Sequence, residues 1–127
     1  RVGRGYRVGR VMLAGGAAHI NHPLGGMGMN GGVHDAVNLA AKLIEVITGR
    51  APDSLLDQYE RQRRTVAIEY INANTARNKQ LIEERDESVR SRIHAELRAT
   101  AADPETALAY IRKTSMFDAL ERAGSIA

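Results

Sequence analysis

A glycine-rich run that opens directly into a helical repeat constrains this chain more than any other feature. Residues 15–32 read GGAAHINHPLGGMGMNGG. The residues that follow place Val33, Ala36, Val37, Ala40, Leu43, Ile44 and Ile47 at the i, i+3, i+4, i+7 spacing of an amphipathic helix. Asn30 is the predicted N-cap, and Gly49 the predicted stop beyond the last turn. Ahead of the run, Arg10 to Ala14 reads as a short buried strand ended by Gly15 and Gly16.

A strand that passes through glycines into a helix start suits an anionic or electron-rich group. The first helical N–H groups have no partner within the helix, and the helix dipole adds positive charge there. A phosphate, a carboxylate or the pyrimidine edge of a flavin would each fit. The run is not a phosphate-binding G-x-x-x-x-G-K-[ST] loop, because no lysine follows the glycines. It is not a G-x-G-x-x-G dinucleotide fingerprint either, since those glycines should follow the strand at once.

Helices account for the rest. Pro52 with Asp53 or Ser54 opens a helical pattern through Leu55, Leu56, Tyr59, Val66, Ala67, Tyr70, Ile71, Leu81 and Ile82. Residues 54–84 form either one long helix or two with a bend near Arg64. A third helix is expected over 87–101, a fourth from the Asp103–Pro104 cap pair to about Lys113, and a short last one from Ser115 to Gly124. The expected chain is therefore mainly α: one strand, a glycine loop and four to five helices. A lone strand leaves its backbone groups unpaired, so partner strands are expected from outside these residues.

Composition narrows the function classes. The chain has no cysteine, which excludes disulfides, thiolate metal sites and a cysteine nucleophile. No apolar stretch reaches the roughly 18–20 residues of a membrane span, and a cytoplasmic protein is the expectation. The net charge of +3 raises nucleic-acid binding, with Arg1, Arg4, Arg7 and Arg10 as an arm and Arg61, Arg63, Arg64, Arg77 and Lys79 as a second cluster. Glu60, Glu69, Glu83 and Glu84 interleave with that cluster and stacking aromatics are scarce, so a solvated surface is the better reading. Arg61, Arg63 and Arg64 are then expected at the surface or in interdomain ion pairs. His19, His22 and His34 with Asp35 raise a metal site, but no metal is expected. Tyr59 and Tyr70 are expected in the core, and Met27 and Met29 as loop packing.

The stretch GRVMLAGGAAHINHPLGGMGMNGGVHDAVNLAAKL, from Gly9 to Leu43, resembles the second flavin-binding motif of the class A FAD-dependent aromatic monooxygenases, the group containing p-hydroxybenzoate hydroxylase. The matching positions are Gly9, Arg10, Val11, Leu13, Ala14, Gly15, Ala17, Ala18, His19, Pro23, Gly26, Gly28, Asn30, Gly32, Asp35, Ala36, Asn38, Leu39, Lys42 and Leu43. The following LLDQYERQRRTVA is similar to the family's next helix. One position departs: Gly16 stands where the family carries an aspartate that accepts a hydrogen bond from the FAD ribitol.

The resemblance implies the C-terminal part of an α/β FAD-binding fold of the glutathione reductase type. Residues 1–50 would complete the FAD-binding domain, and residues 51–127 would form a C-terminal helical region. It implies FAD as cofactor and NAD(P)H as co-substrate, with O2 supplying the oxygen atom that enters a small aromatic substrate. The implied cofactor-binding residues are Gly15, Gly16, Pro23, Gly25, Gly26, Gly28, Met29 and Asn30, while Asp35 and Asn38 would brace the loop and helix. No residue stands out as catalytic. The implied partner is an upstream nucleotide-binding half of the same protein, with no nucleic acid and no membrane, and a homo-oligomer is left open. Two rivals stand beside this reading. One is a non-catalytic helical assembly or regulatory fragment with a degenerate flavin motif; the other is a related flavin halogenase or reductase.

Overall fold

The computed structural model describes residues 1–127 except His22, Leu24 and Gly25, and leaves aside the side chains of Ile71 and Asn74. Its only regular sheet among the described residues is a small hairpin. Strand β1 (Arg7–Val8) pairs antiparallel with β2 (Val11–Met12), with Arg7 opposite Met12 and Val8 opposite Val11. The strand expected over Arg10 to Ala14 is thus shorter, and its partner comes from the arginine-rich opening segment itself. Arg10 lies in the turn beside Gly9, whose φ is +57°. One further bond, Leu13 N–H to the Tyr6 carbonyl, extends the pairing before the chain swings out at Ala14. Nor is the strand buried, because Val8 and Val11 are both exposed.

The opening segment is tied down along its length. Val2 bridges to His19, Gly3 N–H donates to the Ala18 carbonyl, and the Arg1 amine donates to the Ile20 carbonyl. Tyr6 enters the core, while the Glu60 carboxylate accepts the N–H groups of both Tyr6 and Arg7. The Arg7 guanidinium reaches Asp53 and Asp57.

A 3-10 turn (Gly15–Ala17) follows, and then helix α1 (Met27–Ile47). The helix begins three residues before the predicted cap. Gly26, at φ +65°, occupies the N-cap, and Asn30 lies within the first turn with its amide donating to the Gly26 carbonyl. Periodicity missed this turn because Gly28, Gly31 and Gly32 carry no side chain to mark a face. The expected end holds: Gly49 sits at φ +73° and donates to the Val46 carbonyl just past the helix.

Residues 55–83 are helical without a break. Helix α2 (Leu55–Val66) passes through a π turn (Ala67–Ile71) into α3 (Asn72–Glu83), so the first of the two expectations, one long helical run, holds, with an irregularity just past Arg64. Helix α4 (Glu87–Ala102) is capped by Asp86, whose side chain accepts the N–H groups of Ser88 and Val89. Asp103 caps α5 (Pro104–Thr114) by accepting the Thr106 N–H, with Pro104 at the first position, as expected. Such caps contribute about 1 kcal/mol each. The last helix, α6 (Phe117–Gly124), is entered through Met116 at φ +66°, while Ser115 closes α5 instead of capping α6.

The core gathers Tyr6, Ala18, Met27, Tyr59, Val66, Ala67, Met116, Ala119 and Ala123, with Tyr70 packed against it. Helix α1 points its apolar stripe, Val33, Val37, Ile44 and Ile47, outward, and turns Gly31 and Asp35 to the interior.

Candidate functional site

Helix spacing explains the inward stripe of α1. Gly31, Asp35, Asn38 and Lys42 are three or four residues apart and share one face. Opposite them, α2 presents Leu56, Tyr59, Gln62, Arg63 and Val66 as its buried residues. Asp35 is 0 % exposed and Arg63 1 %. Arg63 Nε donates to Asp35 Oδ1 at 2.6 Å. The second carboxylate oxygen, Oδ2, accepts twice: from the Gly15 backbone N–H at 2.9 Å and from His19 Nε2 at 2.7 Å. Farther along, Asn38 Nδ2 and Lys42 Nζ both donate to Gln62 Oε1, at 3.0 and 2.9 Å.

Asp35 therefore braces the loop as expected, and Arg63 is not at the surface but takes the second of its two expected roles, an ion pair from the 51–127 stretch to the 1–50 stretch. Its position on the α2 face shared by Tyr59 and Val66, four residues after one and three before the other, is the signal that could have revealed its burial. Arg61 does lie exposed, and Arg64 Nε reaches the Gly3 carbonyl. Tyr59 is buried and donates its hydroxyl to the Leu13 carbonyl at 2.6 Å. Tyr6 stacks on His19 with ring centroids 6.3 Å apart. Burial pushes the Tyr6 and Tyr59 hydroxyls well above the usual phenol range, with the Asp35 charge adding to it. Both phenols stay protonated.

Burial alone would raise the pKa of the Asp35 carboxyl. The hydrogen bonds from His19, Arg63 and Gly15, with the Arg63 charge, outweigh it and hold the group below its ordinary 3.8. The bond to Asp35 raises His19 above 6.5 against the opposing effect of burial. Burial lowers His34, and the Arg63 charge adds to that shift. The signs follow. The His19 contribution to stability is full below pH 6.5 and is lost as pH rises through its raised folded value. The Asp35 contribution is present above pH 3.8 and is lost as pH falls through its lowered one. His34 acts oppositely to His19. The clean expectation is therefore a difference: the melting temperature of wild type minus that of His19→Gln should shrink as pH rises above 6.5. A thermal melt series over pH 5–9 checks it, and a constant difference would refute it.

The eight predicted cofactor-binding residues fall along the turn and the helix start. Gly15 adopts φ +60°, and its Cα lies against Gly32 so closely that a Cβ on Gly32 would stand 3.2 Å from it. Gly16 is exposed, and a Cβ there would meet nothing within 4 Å. Pro23 is exposed at a bend, and Gly25 lies outside the described residues. Gly26 leaves α1 without a side-chain cap, and Gly28, Met29 and Asn30 form the first turn. The Met29 side chain is exposed, whereas Met27 packs in the core. Asn21, which no motif singled out, lies beside these residues. Its Nδ2 is buried without a hydrogen-bond partner among the described residues and would lie 3.7 Å from a Cβ on Gly28. Among the described residues no group of three or more His, Cys, Asp or Glu side chains is placed to hold a metal ion, and no helix is long and apolar enough to cross a membrane.

Comparison with known proteins bears on this site directly. Residues 1–75 match the family model described as FAD binding domain. A rifampicin monooxygenase of Rhodococcus hoagii is 42 % identical over 122 residues, covering 96 % of this chain and 22 % of the relative. A para-nitrophenol 4-monooxygenase of Pseudomonas sp. strain WBC-3 is 41 % identical over 98 residues, covering 77 % of this chain and 24 % of the relative. The crystal structure of p-nitrophenol 4-monooxygenase from Pseudomonas putida DLL-E4 superposes with a TM-score of 0.84 at 35 % identity, over 94 % of this chain and 29 % of that one. The chain thus spans about a tenth to a quarter of the length of the curated relatives it matches. Sequence, fold and the glycine turn agree that the chain belongs to the FAD binding domain family, in which the relatives matched here are monooxygenases.

Proposed function

We propose that this chain supplies the flavin-ring side of the FAD site in a longer monooxygenase that hydroxylates an aromatic substrate with NAD(P)H and O2. The observation that carries the reading is the uncapped glycine turn at the start of α1. A Cβ at Gly26 would meet nothing within 4 Å, Gly28 lies beside an Asn21 amide nitrogen that has no partner among the described residues, and Gly16 in the preceding turn is equally unobstructed. Such a turn fits a flat, electron-rich ring better than a compact phosphate, which the absence of a following lysine also disfavours.

In this reading Gly15, Gly16, Pro23, Gly25, Gly26, Gly28, Met29 and Asn30 hold the cofactor. The N–H groups of Met29 and Asn30 offer hydrogen bonds and the positive end of the α1 dipole to its pyrimidine edge. Bound FAD would take electrons from NAD(P)H and, with O2, deliver one oxygen atom to the ring. The chain's own work is to orient the cofactor and to exclude water from it. Residues 1–50 would then complete the FAD-binding domain, with 51–127 as a helical region behind it. The outward apolar stripe of α1 supports a cover supplied by the rest of that protein, because a row of exposed Val and Ile is costly in water. The dependence on NAD(P)H fits a cytoplasmic location, where that co-substrate is available.

A second reading, a non-catalytic fragment with a degenerate flavin motif, is favoured by Gly16 alone. The full-length protein is expected to purify with, or titrate to, one FAD and to oxidise NAD(P)H faster when a phenol is added. The 127-residue chain alone is expected to show no stoichiometric flavin spectrum. A full-length protein that binds no FAD would overturn the proposal.

A further inference from the structure

The buried carboxylate of Asp35 closes the turn ahead of α1 at both of its ends. Its Oδ2 takes the Gly15 N–H at the entry and His19 Nε2 at the exit, while the Ala18 and His19 N–H groups both donate to the Gly15 carbonyl. The segment from Gly15 to His19 is thereby a ring of hydrogen bonds hung on one side chain of α1. Arg63 fixes that side chain from α2, and neither Arg63 nor Asp35 is open to solvent. On its other edge, His19 Nδ1 faces Asn21 Oδ1 at 3.4 Å, and Nδ2 of the same Asn21 amide, without a partner among the described residues, lies beside Gly28. A continuous file of polar groups thus runs from Arg63 through Asp35 and His19 to Asn21 at the glycine turn.

Packing alone does not call for such a file. A buried ion pair is often no more stabilising than apolar residues of the same volume, and its best-attested use is to fix one geometry among several. The geometry fixed here is that of Gly15, the 3-10 turn it opens, and Asn21, whose amide lies beside Gly28. We infer that Arg63, Asp35 and His19 are positioning residues that set the backbone at Gly15–Gly16 and the Asn21 amide for the flavin. Asn21 itself touches the ligand or the turn that holds it. The inference rests on the flavin reading above and adds to it Arg63, which lies outside the motif, and a positioning role for Asp35 and His19 within it.

Two substitutions of His19 separate positioning from bulk. His19→Gln keeps a donor at the place of Nε2, whereas His19→Leu keeps the volume and removes the donor. Both are made in the full-length protein. Without flavin, hydrogen exchange at the Gly15 amide is expected to quicken at least tenfold in His19→Leu and to stay within about threefold of wild type in His19→Gln. With FAD, His19→Leu is expected to raise the Kd at least tenfold and to shift the visible flavin band, and His19→Gln to preserve both. Unchanged Gly15 exchange in His19→Leu overturns the inference, as does FAD binding with wild-type Kd and spectrum in that variant. Equal losses in both variants also overturn it, since the bond to Asp35 would then not be what matters. If wild type binds no FAD, the flavin reading fails and the flavin part of the inference falls with it, while Gly15 exchange still decides whether His19 holds the turn.

Discussion

Replacing Arg63 with alanine is expected to lower the unfolding free energy by about 3–5 kcal/mol, the largest single-residue effect this structure offers. The reason is what remains. Asp35 is fully buried, and its Oδ1 would lose the guanidinium now 2.6 Å away. The carboxylate would keep only Gly15 and His19, both on Oδ2. It must then stay charged without its cation or take up a proton against the bonds that now hold it ionised. Either course weakens α1 against α2 and loosens the turn at Gly15. Urea titration of the full-length protein would measure the change. A neutral double substitution, Asp35→Asn with Arg63→Met, should recover more than half of the loss, because it removes the stranded charge. By contrast, Arg50→Ala should change stability by no more than about 1 kcal/mol, since the Arg50–Glu45 pair is exposed on both sides. A loss below 1 kcal/mol at Arg63 would mean that the buried pair does not act as described.

The second large effect is a gain. Gly16→Asp is expected to tighten FAD binding about tenfold or more, the value of a hydrogen bond to a charged group at about 1.5–3 kcal/mol. The position accepts the side chain. Its φ is not among the left-handed ones, it is exposed, and a Cβ there meets no atom within 4 Å. The resemblance places at this point an aspartate that bonds a ribitol hydroxyl. Fluorescence titration of FAD into wild type and variant decides it. An unchanged Kd would show that residue 16 does not face the cofactor and would strengthen the non-catalytic reading.

The two predictions differ in how visible their residues were beforehand. Gly16 stands out in the sequence because a motif of fixed spacing surrounds it. Arg63 does not, because it sits among Arg61, Arg64 and Glu60 in a strongly charged stretch. Only the facing carboxylate from α1 makes its burial affordable, and nothing local announces a partner 28 residues away. The helices were legible because a 3.6-residue period is local and the caps at Asp103–Pro104 and Gly49 are chemical. The start of α1 was not, because glycines carry no period. The β1–β2 hairpin escaped notice because a two-residue ladder leaves no alternation to read.

By itself, then, the sequence determined the helical course of the chain and the glycine turn that marks its family. Both rest on spacing along the backbone. Which face of each helix turns inward was decided by tertiary structure. Helix α1 carries one stripe of Val and Ile and another of Gly31, Asp35, Asn38 and Lys42, and hydrophobicity alone buries the first. The fold buries Gly31 and Asp35 from the second, because Gly15 N–H, His19 and Arg63 together satisfy a carboxylate that none of them could satisfy alone. That balance depends on three segments meeting in space, and no window of sequence contains all three.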